Sequence, residues 1–276
     1  AACFRPRPGG FAVAVAFSAT LLVSAAPAWS DDAEPPGERG GFFVAGVAEI
    51  PEFLGADDGQ LVPFLVGQFE GRRSTLEIEG LEARLDVIEG TRWRGGPSLS
   101  LGLPRDDDFV DEPRVQLLPE VDLALELGAF VGLEVPWGRT HEDRLRVDLA
   151  VRRDVLDAHD GTLAEVEVDY FFKISRMQRL GVAASLTWAD GDYHRAYFSI
   201  DPAASERSGL AAYDASAGFR DIGLEVYGIT SFSEQWGVFL RVAWNRLLED
   251  AADSPVVVDA GSEDQLFTGI GAFYRW

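Results

Sequence analysis

The sequence predicts an all-β fold, a transmembrane antiparallel up-and-down β-barrel of about twelve strands over residues 42–276. Apolar and polar residues alternate with a period of two through most of the chain, the mark of strands with two unlike faces. Several alternating stretches reach the roughly 9–11 residues that a tilted strand needs to cross a bilayer. Aromatic residues (Tyr170, Trp188, Trp236, Trp244, Tyr274, Trp276) stand at the ends of the apolar rows, where interfacial girdles would place them. A soluble barrel with its apolar row inward would show the same alternation. The export-type N-terminus, the strand lengths and the row-end aromatics favour the membrane.

Arg5 and Arg7 precede an apolar run over 11–23, followed by small residues and a cleavage point after Ala28-Trp29-Ser30. Residues 1–30 therefore read as an export signal peptide that is removed. The run is too short, and too rich in Ala, Ser and Thr, for a spanning helix. The lone Cys3 lies before the run, so it does not resemble a lipoprotein attachment site, and the remainder has no cysteine for a disulfide. Residues 31–41, polar and rich in Pro and Gly, are expected to form a flexible periplasmic tail. The formal charge is −22, and Arg5 and Arg7 are the only charges before residue 31, so the remainder stands at −24. Such acidity argues against nucleic acid, whose phosphates call for basic groups.

In 120–135 the outward row is Val121, Leu123, Leu125, Leu127, Ala129, Val131, Leu133 and Val135. Opposite stand Glu120, Asp122, Glu126 and Glu134, with small Ala124, Gly128 and Gly132 among them. In 145–151 Leu145, Val147, Leu149 and Val151 oppose Arg146, Asp148 and Arg152. In 164–173 Ala164, Val166, Val168, Tyr170 and Phe172 oppose Glu165, Glu167, Asp169 and Lys173. Stretches 180–188 and 236–244 repeat the scheme. Region 76–88 departs from it, since its hairpin would turn tightly at Gly80. The final strand carries Leu266, Ile270, Ala272, Tyr274 and Trp276 on one side and Gln265, Gly269, Gly271 and Arg275 on the other. Ending on an aromatic residue, it resembles the signal by which barrel-assembly machinery recognises bacterial outer-membrane barrels.

With the C-terminus on the periplasmic side, the periplasmic turns fall at 70–73, 89–92, 136–143, 174–179 and 231–235. The mostly longer outer loops fall at 52–60, 104–118, 154–162, 190–216 and 248–264, as expected of such barrels. The periplasmic side carries Arg72, Arg73, Arg92, Arg94, Arg139, Lys173, Arg176 and Arg179 and looks locally basic.

Five strings, in order, carry a family resemblance: Pro51-Glu-Phe-Leu-Gly-Ala-Asp-Asp58, Thr187-Trp-Ala-Asp-Gly-Asp-Tyr-His-Arg-Ala-Tyr-Phe198, Ser208-Gly-Leu-Ala-Ala-Tyr-Asp214, Leu247-Leu-Glu-Asp-Ala-Ala-Asp-Ser-Pro255 and the aromatic C-terminus. Together they resemble the MipA/OmpV family of outer-membrane proteins. The resemblance implies a barrel in contact with outer-membrane lipid. It also implies a scaffold role linking a lytic transglycosylase to a bifunctional murein synthase.

Within these strings, Asp57, Asp58 and Gly59 suit a tight outer turn or, less simply, a cation or ligand site. Glu249, Asp250 and Asp253 offer oxygens, but their spacing matches no regular calcium loop. Tyr193, Tyr197 and Phe198, with His194 and Arg195, are candidates for the barrel mouth or for loop packing. No cofactor or metal is expected. His141, His159 and His194 lack the Ser and acid context of a hydrolase, although Ser185, Ser199 or Ser208 could be set beside His194 on paper, so no catalytic residue is assigned. The inward row is more informative: Glu120, Asp122, Glu126, Arg146, Asp148, Arg152, Glu165, Glu167, Asp169, Lys173, Glu225, Arg241 and Arg275 would share one interior. They would form cross-strand networks that stiffen a filled bore or, alternatively, line a narrow passage preferring cations or small polar solutes.

Overall fold

The computed structural model describes residues 40–88, 91–140 and 142–276. The expected signal peptide, the expected tail up to residue 39, and His141 lie outside the described residues. Strands β1 (Gly41–Pro51), β2 (Gly59–Glu70), β3 (Thr75–Glu79), β4 (Glu82–Asp86), β5 (Trp93–Gly102), β6 (Ala124–Pro136), β7 (Arg144–Asp154), β8 (Thr162–Lys173), β9 (Gln178–Ala189), β10 (Gly218–Ser231), β11 (Trp236–Leu247) and β12 (Asp264–Arg275) follow one another around the wall. Each pairs antiparallel with its sequence neighbours, and β1 closes the barrel on β12 from Phe42↔Arg275 to Glu49↔Thr268.

Exposure decides which face is which. Leu127, Val131, Leu149, Val166, Val168, Leu224, Leu240 and Ile270 lie exposed on the outer wall, while Glu126, Asp148 and Arg152 on the alternate positions are buried. A protein in water would bury the first set and expose the second. This inversion belongs to a barrel whose solvent is hydrocarbon, and closure leaves no lipid-facing sheet edge where the ladder is complete. No described helix is long and apolar enough to cross a membrane.

One sequence expectation changes here. Strand β6 begins at Ala124, and Glu120 and Asp122 are exposed ahead of it. Val121 instead exchanges backbone hydrogen bonds with Arg105 (2.8 and 3.0 Å), which turns the chain out of the wall although its alternation continues. The interior is not polar throughout. Val44, Ile229, Phe239 and Phe273, with Phe42, Phe64, Val66 and Tyr227, form an apolar cluster across β10–β12, β1 and β2.

At the short-turn end, Asp143 organises the connection between β6 and β7. Its carboxylate accepts from the Arg139 and Thr140 backbone N–H groups (2.8 and 2.9 Å), the Thr140 hydroxyl (2.6 Å) and the Lys173 N–H (3.0 Å). These donors, the Thr140 hydroxyl foremost, hold the carboxyl well below its ordinary value. The stabilisation is present above the unfolded carboxyl's pKa, near 3.9, and is lost as pH falls through the lower folded value. Asp143→Ala should therefore lower the thermal midpoint at neutral pH, and the gap to the parent should narrow on strong acidification. A parallel offset at both pH values would exclude this role.

At the opposite end the long loops fold together. Helices α1 (Gly191–Phe198), α2 (Pro202–Ser208), α3 (Glu249–Ala252) and α4 (Pro255–Val258) arise there. Asp190 and Asp201 cap the first two by accepting from Tyr193 N, and from Ala203 N and Ala204 N; Pro202 starts α2, and Gly209 ends it at φ 75°. Phe53, Val110, Val115, Leu118, Ile200, Leu210 and Val256 bury a common core, so loops from four connections form one cap over the mouth.

Candidate functional site

Between the cap and the short-turn end lies a charged interior, built because inward positions on neighbouring strands carry opposite signs. Arg84 on β4 reaches Glu82 (2.6 Å), Glu167 (3.3 Å), Asp148 (3.5 Å) and Glu165 (3.5 Å). Arg152 on β7 meets Glu82 and Glu165, both at 2.9 Å, and Glu126 at 3.5 Å. Arg94 meets Glu77 (2.5 Å) and Asp148 (3.3 Å), and Arg146 bridges Glu134 (3.1 Å) and Glu77 (3.5 Å). Across the bore, Arg241 joins Glu225 (2.7 Å) to Glu79 (2.8 Å), and the Tyr227 hydroxyl donates to Asp169 (2.8 Å). Phe130, an inward residue hidden in the regular β6 row, lies under the Arg84 and Arg94 guanidiniums at 5.9 and 5.7 Å.

The structure thus brings together Glu126, Arg146, Asp148, Arg152, Glu165, Glu167, Asp169, Glu225 and Arg241, and leaves out Glu120 and Asp122. Lys173 pairs with Glu142 in a turn, and Arg275 donates to the Glu234 carbonyl, so both sit at the short-turn rim. Arg94, read from sequence as part of the basic periplasmic side, is buried in the bore. Sequence reasoning missed Glu77, Glu79, Glu82, Arg84 and Asp86. Their period of two, interrupted only by Gly80-Leu81, was the signal that could have found them.

The loop-motif residues serve the cap. Asp57 and Asp58 are exposed in the β1–β2 turn, where Gly55 takes φ 101° and the Glu52 N–H donates to the Asp58 carbonyl. Gln265 anchors that turn to β12 by accepting from Gly55 N (3.1 Å) and donating to the Ala56 carbonyl (3.0 Å). Asp250 accepts from Ser216 N (2.7 Å), whereas Asp253 is exposed. Among the described residues no three His, Cys, Asp or Glu side chains converge as a metal site. Tyr193 and Tyr197 are buried beneath the cap, with ring centroids 4.9 and 5.7 Å from His159, whose Nε2 stands 3.3 Å from Glu126. Burial pushes the Tyr193 hydroxyl up to about 12, so it stays protonated. Arg105, pulled down to about 10 by its own burial, still holds its charge at neutral pH and donates to the Tyr197 carbonyl at 2.6 Å.

His194 is fully buried, its Nδ1 3.1 Å from the Asp190 carbonyl oxygen. Burial holds it below its ordinary value. The unfolded cap then binds more protons than the folded cap as pH drops past about 6.5, so the cap loses stability on acidification. Pulse proteolysis of residues 199–216 should accelerate between pH 7.5 and 5 in the parent and much less in His194→Phe. Equal acceleration in both would remove His194 as the cause.

A family model described as "MltA-interacting protein MipA" matches residues 43–276. The chain is 27% identical over 133 residues to the putative outer membrane protein YiaT of Escherichia coli K12, a stretch covering 47% of this chain and 52% of that protein. It thus spans about half the length of the curated relatives it matches. Among solved structures it is similar to an outer-membrane channel of Pseudomonas putida F1, at 11% identity and TM-score 0.45 over 88% of this chain and 100% of the other. It is also similar to the outer-membrane channel DcaP of Acinetobacter baumannii, at 13% identity and TM-score 0.35 over 86% and 96%.

Proposed function

The chain belongs to the MltA-interacting protein MipA family of outer-membrane β-barrels, and on that premise we propose that it is a non-catalytic interaction protein of the cell envelope that docks murein enzymes from the periplasm. What supports this reading is the contrast between the two ends and the middle. The mouth lies under a packed cap and the bore is crossed by ion pairs. Exposed Arg72, Arg73, Arg92, Arg139 and Arg176 are gathered at the short-turn end of an acidic protein. Short turns face the periplasm in such barrels, so these arginines would face the murein machinery, with a lytic transglycosylase and a bifunctional murein synthase as partners. The purified barrel should retrieve a lytic transglycosylase from envelope extract, and Glu substitutions at Arg72, Arg73, Arg139 and Arg176 should abolish retrieval. Retrieval by neither protein would overturn the proposal. Export through a cleaved signal and insertion by the barrel-assembly machinery, using Leu266, Ile270, Tyr274 and Trp276, belong to the same reading.

One observation favours a second reading, a narrow cation-preferring passage. The Glu79 side chain points inward yet is 54% exposed, so space remains beside the ion pairs. Planar-bilayer recordings should then show small cation-selective steps that shrink in Glu126→Gln and Glu167→Gln. A silent bilayer would remove this reading.

A further inference from the structure

The barrel wall is incomplete on one side. Strand β3 pairs with β2 only over Val66–Glu70, and the hairpin turns back at Gly80, whose N–H donates to the Leu65 carbonyl (2.8 Å). Residues 59–64 of β2 pair with β1 alone, and among the described residues no other backbone bond reaches them. On the far side β4 pairs with β5 at three positions, Leu101 N donates to the Leu81 carbonyl (3.0 Å), and β5 ends at Gly102. Above, the 104–118 loop crosses to the β1–β2 turn, where Asp111 N donates to Glu52 (2.9 Å). The result is a window in the wall. Its sill is Gly80-Leu81, one side is β2, and its far side and lintel are the chain that runs on from Gly102 into that loop.

Two features say what the window can hold. Leu65 directs its carbonyl toward the hairpin, so Pro63, two residues earlier, directs its nitrogen to the same free side. Proline has no N–H to donate there, which disfavours an added strand from a partner. The surroundings are apolar outside, and inside the Glu79 carboxylate stands near an apolar cluster that includes Phe64 and Val66 of β2. Leu61 (76% exposed), Leu65, Leu81 and Leu99 line the outer face. Glu79, just before the sill, presents its half-exposed carboxylate to the bore. There Arg241 is shared between Glu79 and Glu225, and the Glu167 and Asp169 carboxyls lie near Glu79.

We infer that the window is a lateral port for a cationic amphiphile, its hydrocarbon chain against the leucines in the lipid and its ammonium head at Glu79. This port is independent of the scaffold reading. The test is titration of dodecylamine, tagged with dansyl at its far end, into the full barrel in zwitterionic nanodiscs. Fluorescence should saturate above the empty-disc signal. Glu79→Gln should weaken binding about tenfold, the scale of a charge-assisted hydrogen bond. A second variant, with four residues inserted at Gly80 to raise the sill, should abolish saturation; a heat-dependent shift in gel migration checks that both variants fold. No saturable signal in the parent, unchanged binding in the raised-sill variant, equal binding of dansyl-tagged dodecanol, or cross-linking of a protein strand to Leu65 would each overturn the port.

Discussion

Arg84→Met should be among the most damaging single substitutions in this barrel, lowering the stability of the folded state by about 3–5 kcal/mol. Arg84 is 13% exposed and touches four carboxylates, those of Glu82, Asp148, Glu165 and Glu167. Methionine fills much of the same volume but neutralises none of them. Removing one partner of a buried network costs more than the network contributes, because the surviving charges stay desolvated. Lysine should rescue only in part, since a point charge lacks the planar fork that meets several acids at once. Pairing Arg84→Met with Glu167→Gln should recover part of the loss. Urea unfolding in lipid vesicles, followed by the shift between folded and unfolded bands on a gel, measures all three. An unchanged urea midpoint for Arg84→Met would show that the acids are held by something else.

The second large effect lies on the outer wall. Leu149 sits midway along β7, pointing outward beside inward Asp148, and is exposed. Leu149→Arg should cost about 2–4 kcal/mol, because a guanidinium at the bilayer midplane is poorly solvated. Leu145→Arg, nearer the short-turn end of the same strand, should cost roughly 0–1 kcal/mol, since the side chain can reach the interface. The gradient is the diagnostic. If both substitutions were harmless in vesicles, the outer row would not be facing hydrocarbon.

Much of the wall was legible in the sequence because a strand's two faces are set locally. Asp148 and Leu149 need only adjacent positions on extended backbone to face opposite ways, so the rows of β6, β7 and β8 could be read residue by residue. The aromatic C-terminal strand and the tight turn at Gly80 were readable for the same reason. Phe130 was overlooked because the row was judged on its charges, and an inward phenylalanine needs a partner from elsewhere, here the Arg84 and Arg94 guanidiniums. Glu120 and Asp122 were misplaced because alternation runs on past the point where Val121 leaves the wall to pair with Arg105. Arg94 looked like a turn residue until Glu77 and Asp148 drew it inward.

By itself, then, the sequence determined the class of fold, the inward and outward rows and the two unlike ends, all of which follow from short-range alternation and the lengths of connections. Only the closed barrel decided which acid each arginine meets, how the outer loops share one core, and that a hairpin half the usual height leaves an opening beside β2. Those depend on residues far apart in the chain meeting across a bore, and no local rule of side-chain direction carries that information.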